Sequence, residues 1–503
     1  MSEGLNKMRV AACALLAWAG FAMPSFAETR LTVAVEVLPR SNNPFSSTSI
    51  VDLGYWSAFY DPLTLVTTDG ELLPWLATSW RTVSPKVWEF TLRDGVTFSN
   101  GTKFDASSVA AAIAYFKSER GKIEPVARDL ANIENVKVVS NQVIEFHLTK
   151  PDPLLPRRLS ILRAVEPKLW AQLGPEGYAA NPIGTGPYKI TTARADRARL
   201  AAVPTSWRKA STDALDYVIS TDATARLSAL QIGDVDVALN ALSPDEFDAL
   251  KDAGGAIFVD HIPAVVALIL NNVRDTPFRD ERVRKAMLMA VNRSQIVDEL
   301  LAGQTVVADQ PATRGMFGFD KSVTTTPYDP TKAKTLLAEA GYPNGFAFEM
   351  EMPASKVLYI SVFQAIAADL RKVGITMTVR QLPQIAFQEK TQTGAWAGAA
   401  FAWPFFSPTS DPLYAMQYHS CGWVAPWYCD RTSTEMINAA VTETDIEKRN
   451  VLTANVMKRA HDTAQAMYLY ESVSFIGLGA RVKSFRADYG FIRFEALELR
   501  PSK

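Results

Sequence analysis

The feature that most constrains the fold is the way capped helix patterns take turns with strand patterns along the chain. The segment "YDPTKAKTLLAEAGYP" (328–343) is punctuated at both ends. Asp329 stands at the N-cap, Pro330 at the first helical position, Gly341 just past the last turn and Pro343 beyond it. "DASSVAAAIAYFKSE" (105–119) places Asp105 as N-cap and sets Val109, Ile113 and Phe116 on one stripe. Further helices are predicted from about Leu358 to Val373, where Gly374 stops the pattern, and over 432–442 and 445–465. Between them, "LTVAVEV" (31–37), "VWEFTL" (87–92), "VIEFHL" (143–148), "VVALIL" (265–270) and "ITMTVRQL" (375–382) read as strands. "VVALIL" is apolar enough for a strand covered on both faces. Such alternation predicts a mixed α/β chain, neither a sandwich nor a bundle, and 503 residues allow two or three domains.

The N-terminus has a separate logic. Lys7 and Arg9 precede the uncharged run "VAACALLAWAGFAM" (10–23), then Pro24 and the small-x-small triplet Ser25-Phe26-Ala27. This is the pattern of a secretory signal peptide over 1–27, cut after Ala27, with Met8 as an equally suitable start. Cys13 precedes most of the apolar run, which is the wrong place for a lipidated cysteine. Export leaves Cys421 and Cys429, an even count that suggests a disulfide; two reduced buried thiols are the other reading. The expected location is the periplasm. A formal net charge of −1 offers no basic face for nucleic acid or an anionic membrane.

Catalytic chemistry has little to stand on. His147, His261, His419 and His461 have no partner at metal-ligand spacing. His419 is the one weak metal candidate, because it lies two residues before Cys421 in an aromatic region. Asp234 and Asp236 suit a solvent-facing or turn-capping role better than acid–base work. "GTGPY" (184–188) lacks the Lys-Ser/Thr of a phosphate loop, and Pro187 forbids the helix such a loop would start. No enzyme and no cofactor is expected.

Seven blocks, in order, resemble the peptide/nickel family (family 5) of ABC-transporter solute-binding proteins. They are "LLPWLATSW" (72–80), "WEFTLRDGVTFSNGTKFDASSV" (88–109), "GTGPY", "RLSALQIGDVDVA" (226–238), "PFRDERVRKAMLMAVNRSQIV" (277–297), "YDPTKAKTLLAEAGYPNGF" (328–346) and "DLRKVGITMTV" (369–379). The resemblance implies a two-lobed, hinged periplasmic-binding-protein fold, type II and cluster C-like, with an extra inserted domain. Lobe I would combine 28–61, 183–267 and 475–503, the inserted domain would be 62–182, and lobe III 268–474. It implies a monomeric periplasmic receptor that captures a solute, a peptide or peptide-sized organic molecule, and delivers it to an inner-membrane ABC permease/ATPase complex. Alternatives are a nickel or metal-chelate binder of the same family and an exported hydrolase.

The segment "FAWPFFSPTSDPLY" (401–414) cannot be a regular helix, because Pro404, Pro408 and Pro412 each lack a backbone donor. It is either core filler passing through a loop or the wall of a site. Peptide-binding members resemble it with Trp-x-x-Asp before Asp-Pro, the first Asp meeting the ligand's amine. Trp403 and Asp411-Pro412 match, but Phe406 stands where that acid would be. An ammonium buried without a counter-charge costs several kcal/mol, so the expected ligand part here is apolar or aromatic. Trp403, Phe405, Phe406 and Trp423 are the candidate ring surfaces, and Asp411 an acid able to take over the amine-binding role. Ser47, Thr48 and Ser49, in "RSNNPFSSTSI" (40–50), are candidates for the opposing wall, or else an ordinary polar loop. Tyr55, Trp56 and Phe59 follow as a core face.

Overall fold

The apolar run around "VVALIL" belongs to a strand far longer than its hydrophobic core: Ala256–Leu270, antiparallel to a second long strand, Ala466–Leu478. The computed structural model describes residues 28–239, 242–354 and 357–500. The predicted leader 1–27, with Cys13 and the cut after Ala27, lies outside the described residues. Among these residues the two long strands sit in the middle of a ten-stranded sheet. On one side follow Ala400–Phe406, Ala347–Pro353 and Thr376–Leu382. On the other come Val237–Ala238, Arg30–Val35, Ala214–Ile219, Arg197–Ala202 and Tyr188–Ala193.

The long strands change partners along their length. Ile257 to His261 face Gly477 to Val473 near the Arg30–Val35 side, whereas Val265 to Ile269 pair both with Glu471 to Ala466 and with Ala400–Phe406. The register breaks between His261 and Val265, where Pro263 can donate no ladder bond. The chain therefore bends where it passes from one half of the sheet to the other.

The predicted helices form where the caps put them: Ala106–Phe116, Pro330–Glu339, Val357–Arg371, Arg431–Thr442 and Ile446–Asp462. The Asp329 carboxylate accepts from Lys332 N at 2.8 Å, closing the cap read from the sequence. Val109, Ile113 and Phe116 are buried as one stripe. A four-stranded antiparallel sheet carries Val87–Leu92 and Val143–Leu148 at its centre, and its inward residues Phe90 and Phe146 join the same core as Leu31 and Val33. The "GTGPY" glycines mark a close chain crossing: a Cβ on Gly184 would lie 1.7 Å from Phe59 O, so only glycine fits. No helix among the described residues is long and apolar enough to cross a membrane.

The aromatic segment is not the regular helix its prolines exclude, but its first part is not a loop either. Ala400–Phe406 is neither a loop nor a helix but an interior strand. Pro404 is tolerated because Ala347–Pro353 pairs only with Ala400 and Phe401, leaving the strand's outer edge free from Ala402 onward. Alternation then splits the rings: Phe401, Trp403 and Phe405 share one face, while Phe406 points the other way with Ala402 and Ala400.

Candidate functional site

Ring packing starts from the strand. Phe405 is fully buried, stacked on His419 at 4.2 Å between centroids and 5.4 Å from the Tyr468 ring. It belongs to the core. Trp403 is half-buried at the rim of the same cluster, 5.8 Å from Trp427 and 6.2 Å from Tyr418. Trp423 is also half-buried, 4.5 Å from the Tyr418 ring, and its buried Nε1–H has no acceptor. Half-buried Tyr414 lies 6.1 Å from Tyr418. Trp403, Tyr414, Tyr418 and Trp423 thus make a continuous aromatic rim. Phe406, half-buried on the opposite strand face, stands apart from it.

Trp423 is held there by covalent means. Cys421 and Cys429 form a disulfide with 4.5 Å between Cα atoms, closing the loop that carries it. The loop is moored by Cys421 N donating to Thr434 Oγ1 at 3.0 Å and Cys429 N to Asn272 Oδ1 at 2.9 Å.

His419 has the wrong geometry for a metal. Trp427 Nε1 donates to its Nδ1 at 3.0 Å, so the ring proton sits on Nε2, which is buried without a partner. Burial pushes its pKa down to about 3, so the ring is neutral. No group of three or more His, Cys, Asp or Glu among the described residues is placed to hold a metal ion. His147 pairs with Glu145 at 3.2 Å and His461 Nδ1 lies 3.0 Å from Asp309 O, each apart from the rim.

Asp411 is engaged elsewhere as well. It is 2% exposed, and its Oδ2 meets Arg449 at 3.1 Å and Arg158 at 3.2 Å, while Oδ1 accepts from Leu413 N. Arg158 also reaches Asp152 at 2.8 Å. These contacts cross a seam, because Arg158 and Asp152 flank the four-stranded sheet and Asp411 and Arg449 flank the aromatic rim. Asp129, at the end of helix Pro125–Asp129, meets the Tyr414 hydroxyl across the same seam. Burial, only partly offset by Arg158, raises its pKa to about 6.

The segment that carries Ser47, Thr48 and Ser49 is pinned by its preceding residues. Phe45 packs on Phe116 and Trp170, Asn43 Nδ2 donates to Glu124 at 2.8 Å, and Pro44 O accepts from Arg163 at 3.3 Å. Ser47 Oγ accepts from Ser49 N at 3.0 Å, a local turn, and Ser49 caps helix Ile50–Trp56 without a side-chain bond. Ser47 and Thr48 are half-buried, Ser49 exposed. Tyr55, Trp56 and Phe59 are core. Arg163 is 3% exposed, lies over the Trp56 ring and ion-pairs with no carboxylate among the described residues. A cavity of about 630 Å³ opens farther along the seam, walled by Trp80, Trp88, Leu154, Arg157, Phe317 and Ile446. Sequence reasoning named none of Asp129, Arg158, Arg163, Tyr414 or Tyr418.

Comparison with known proteins fits this arrangement. The family described as "Bacterial extracellular solute-binding proteins, family 5 Middle" matches residues 71–424. The chain is 25% identical to the nickel-binding periplasmic protein of Escherichia coli K12 over 94% of each chain. It is 26% identical to the dipeptide-binding protein of that strain, over 83% of this chain and 84% of the other. Among solved structures, NikA from Brucella suis with Fe(III)-EDTA superposes with TM-score 0.80 at 22% identity, covering 94% of this chain and 100% of that one. DppA from Helicobacter pylori with the peptide STSA gives TM-score 0.77 at 21% identity, over 94% and 98%. With a mixed α/β architecture that matches these binding proteins and a family match over most of its length, the chain belongs to the family 5 bacterial extracellular solute-binding proteins.

Proposed function

We propose that this protein is a periplasmic receptor that closes two lobes on a small organic solute and delivers it to an inner-membrane ABC importer. The observation that carries the reading is the pair of long strands, Ala256–Leu270 and Ala466–Leu478, broken in register at His261–Val265 between the two halves of the sheet. A bend confined to two crossing strands lets the halves rotate while each core stays packed. On this reading lobe I is 28–61, 183–267 and 475–503, the inserted domain 62–182, and lobe III 268–474. Residues 1–27 direct export, and the receptor works as a monomer. The half-buried rim of Trp403, Tyr414, Tyr418 and Trp423 supplies one wall, and the segment around Pro44 to Ser49 the other. Closure is driven by the difference in solute affinity between the closed and open states. Apolar walls with few polar anchors suit a ring-bearing or amphiphilic solute of peptide size. The test is native mass spectrometry of the exported protein. A stoichiometric small molecule released on denaturation supports the reading; a solute-free protein that gains no mass from periplasmic extract refutes it.

A further inference from the structure

One acid at the seam lacks a cation. Arg158 is engaged with Asp152 and Asp411, and Arg449 with Asp411. Arg157 turns the other way, to the Gly70 carbonyl, and Arg128 is exposed. Among the described residues no Lys, Arg or His ion-pairs with Asp129. Its Oδ2 is buried with no hydrogen-bond partner. A buried carboxylate oxygen left unpaired is costly, and such atoms in native proteins call for an occupant.

The surroundings specify what that occupant is. The Tyr414 hydroxyl faces both the Tyr418 hydroxyl and the Asp129 carboxyl, so hydroxyls lead from the aromatic rim towards the unpaired acid oxygen. Tyr418 lies 4.5 Å from Trp423 and 6.2 Å from Trp403. Aromatic faces beside a carboxylate attract an organic cation, and an oxygen needing a donor selects one that carries N–H. We propose that Asp129 is the counter-charge for a protonated amine on the solute, in a subsite walled by Tyr414 and Tyr418, the amine belonging to an apolar or aromatic body. The proposal rests on the reading that the solute lies between the lobes. It takes the amine-binding acid from helix Pro125–Asp129 instead of from position 406, so the absence of an acid at Phe406 no longer excludes amines.

Phenethylamine and its neutral analogue 2-phenylethanol, titrated into the ligand-stripped full chain and followed by tryptophan fluorescence, test this. The amine is expected to bind saturably and about tenfold or more tighter than the alcohol. Asp129→Asn is expected to erase that preference, leaving the alcohol unchanged, with unfolding curves checking that the variant is folded. Tyr414→Phe keeps the ring and is expected to weaken the amine severalfold. Equal affinity for both probes, no saturation by the amine up to about 1 mM, or an unchanged preference in Asp129→Asn overturns the subsite. None of these touches the receptor reading, which stands or falls on solute retention by the unmodified protein.

Discussion

Trp403→Ala and Phe405→Ala, made side by side, separate wall from core on a single strand face. Phe405 has no exposed surface, stacks on His419 and packs at a tilt against Tyr468. Truncation there removes a full ring and leaves a cavity that a packed strand cannot collapse, for about 3–5 kcal/mol. Trp403 is half-buried, near the rings of Trp427, Phe401 and Tyr418. Its truncation is expected to cost about half as much stability, roughly 1.5–2.5 kcal/mol, because water already reaches part of its area. For binding the order reverses. Loss of the Trp403 platform is expected to weaken the solute by about 1–3 kcal/mol, or about 5- to 150-fold, while Phe405→Ala leaves affinity nearly intact once folded. Urea unfolding gives the first pair of numbers, and titration with the solute recovered from the native protein gives the second. A Trp403→Ala protein that unfolds as early as Phe405→Ala yet binds normally refutes the division of this strand into rim and core.

Three further outcomes follow from the same geometry. Asp411→Ala strands Arg449, whose side chain is 2% exposed, and is expected to cost about 3–5 kcal/mol in urea midpoint stability; a loss below about 1 kcal/mol contradicts the seam cluster. Asp129, facing Arg158, Arg128 and Tyr414, has a pKa raised to about 6, so folding takes up a proton between pH of about 4 and 6. The stability it contributes as a neutral acid is then present below about pH 4 and lost as pH rises through about 6. Asp129→Asn is accordingly expected to be more stable than the parent by about 1–3 kcal/mol at pH 7.5 and equal to it near pH 4; Asp260, raised to about 7 by burial, follows the same sign and cancels in that difference. Free-thiol labelling of denatured, unreduced protein is expected to find no reactive Cys421 or Cys429, and reduction to cost about 2–3 kcal/mol for a loop with a separation of 8 residues.

What the sequence made legible was local. Asp329 and Pro330 announce a helix because the cap lies within three residues of the amide it accepts from, and Pro330–Glu339 forms where they say. The family blocks carry the scaffold for the same reason: Gly184 and Gly186 are glycines because the backbone of the turn at Phe59 leaves no room for a Cβ. The Cys421–Cys429 bridge was readable from compartment and count, and the structure contains it. The prolines rightly excluded a helix, but the strand went unrecognised because three prolines outweighed an alternation visible in "FAWPFF". A proline is harmless on the one strand edge that lacks a partner, and edge occupancy is set by Ala347–Pro353, some fifty residues earlier in the chain.

The seam was illegible because its chemistry is made by pairing across the chain. Arg158 and Asp411 are 253 residues apart, and nothing beside either one tells that they meet. The same distance hid the meaning of Asp411. Read in its own segment, it was the acid nearest the missing Asp at Phe406; read in the fold, both its oxygens are occupied. A charge is available to a ligand only if the protein has not already neutralised it, and neutralisation is a long-range property. By that criterion Asp129 is the carboxylate to watch in this cleft. It came from "RDLAN" (128–132), a stretch with no motif, and stands out only when its neighbours' contacts are known. On the proposed reading, an acid with one unpaired oxygen on one side of the seam and half-buried rings on the other reach the same solute only when the two sides are together, so solute binding favours that arrangement.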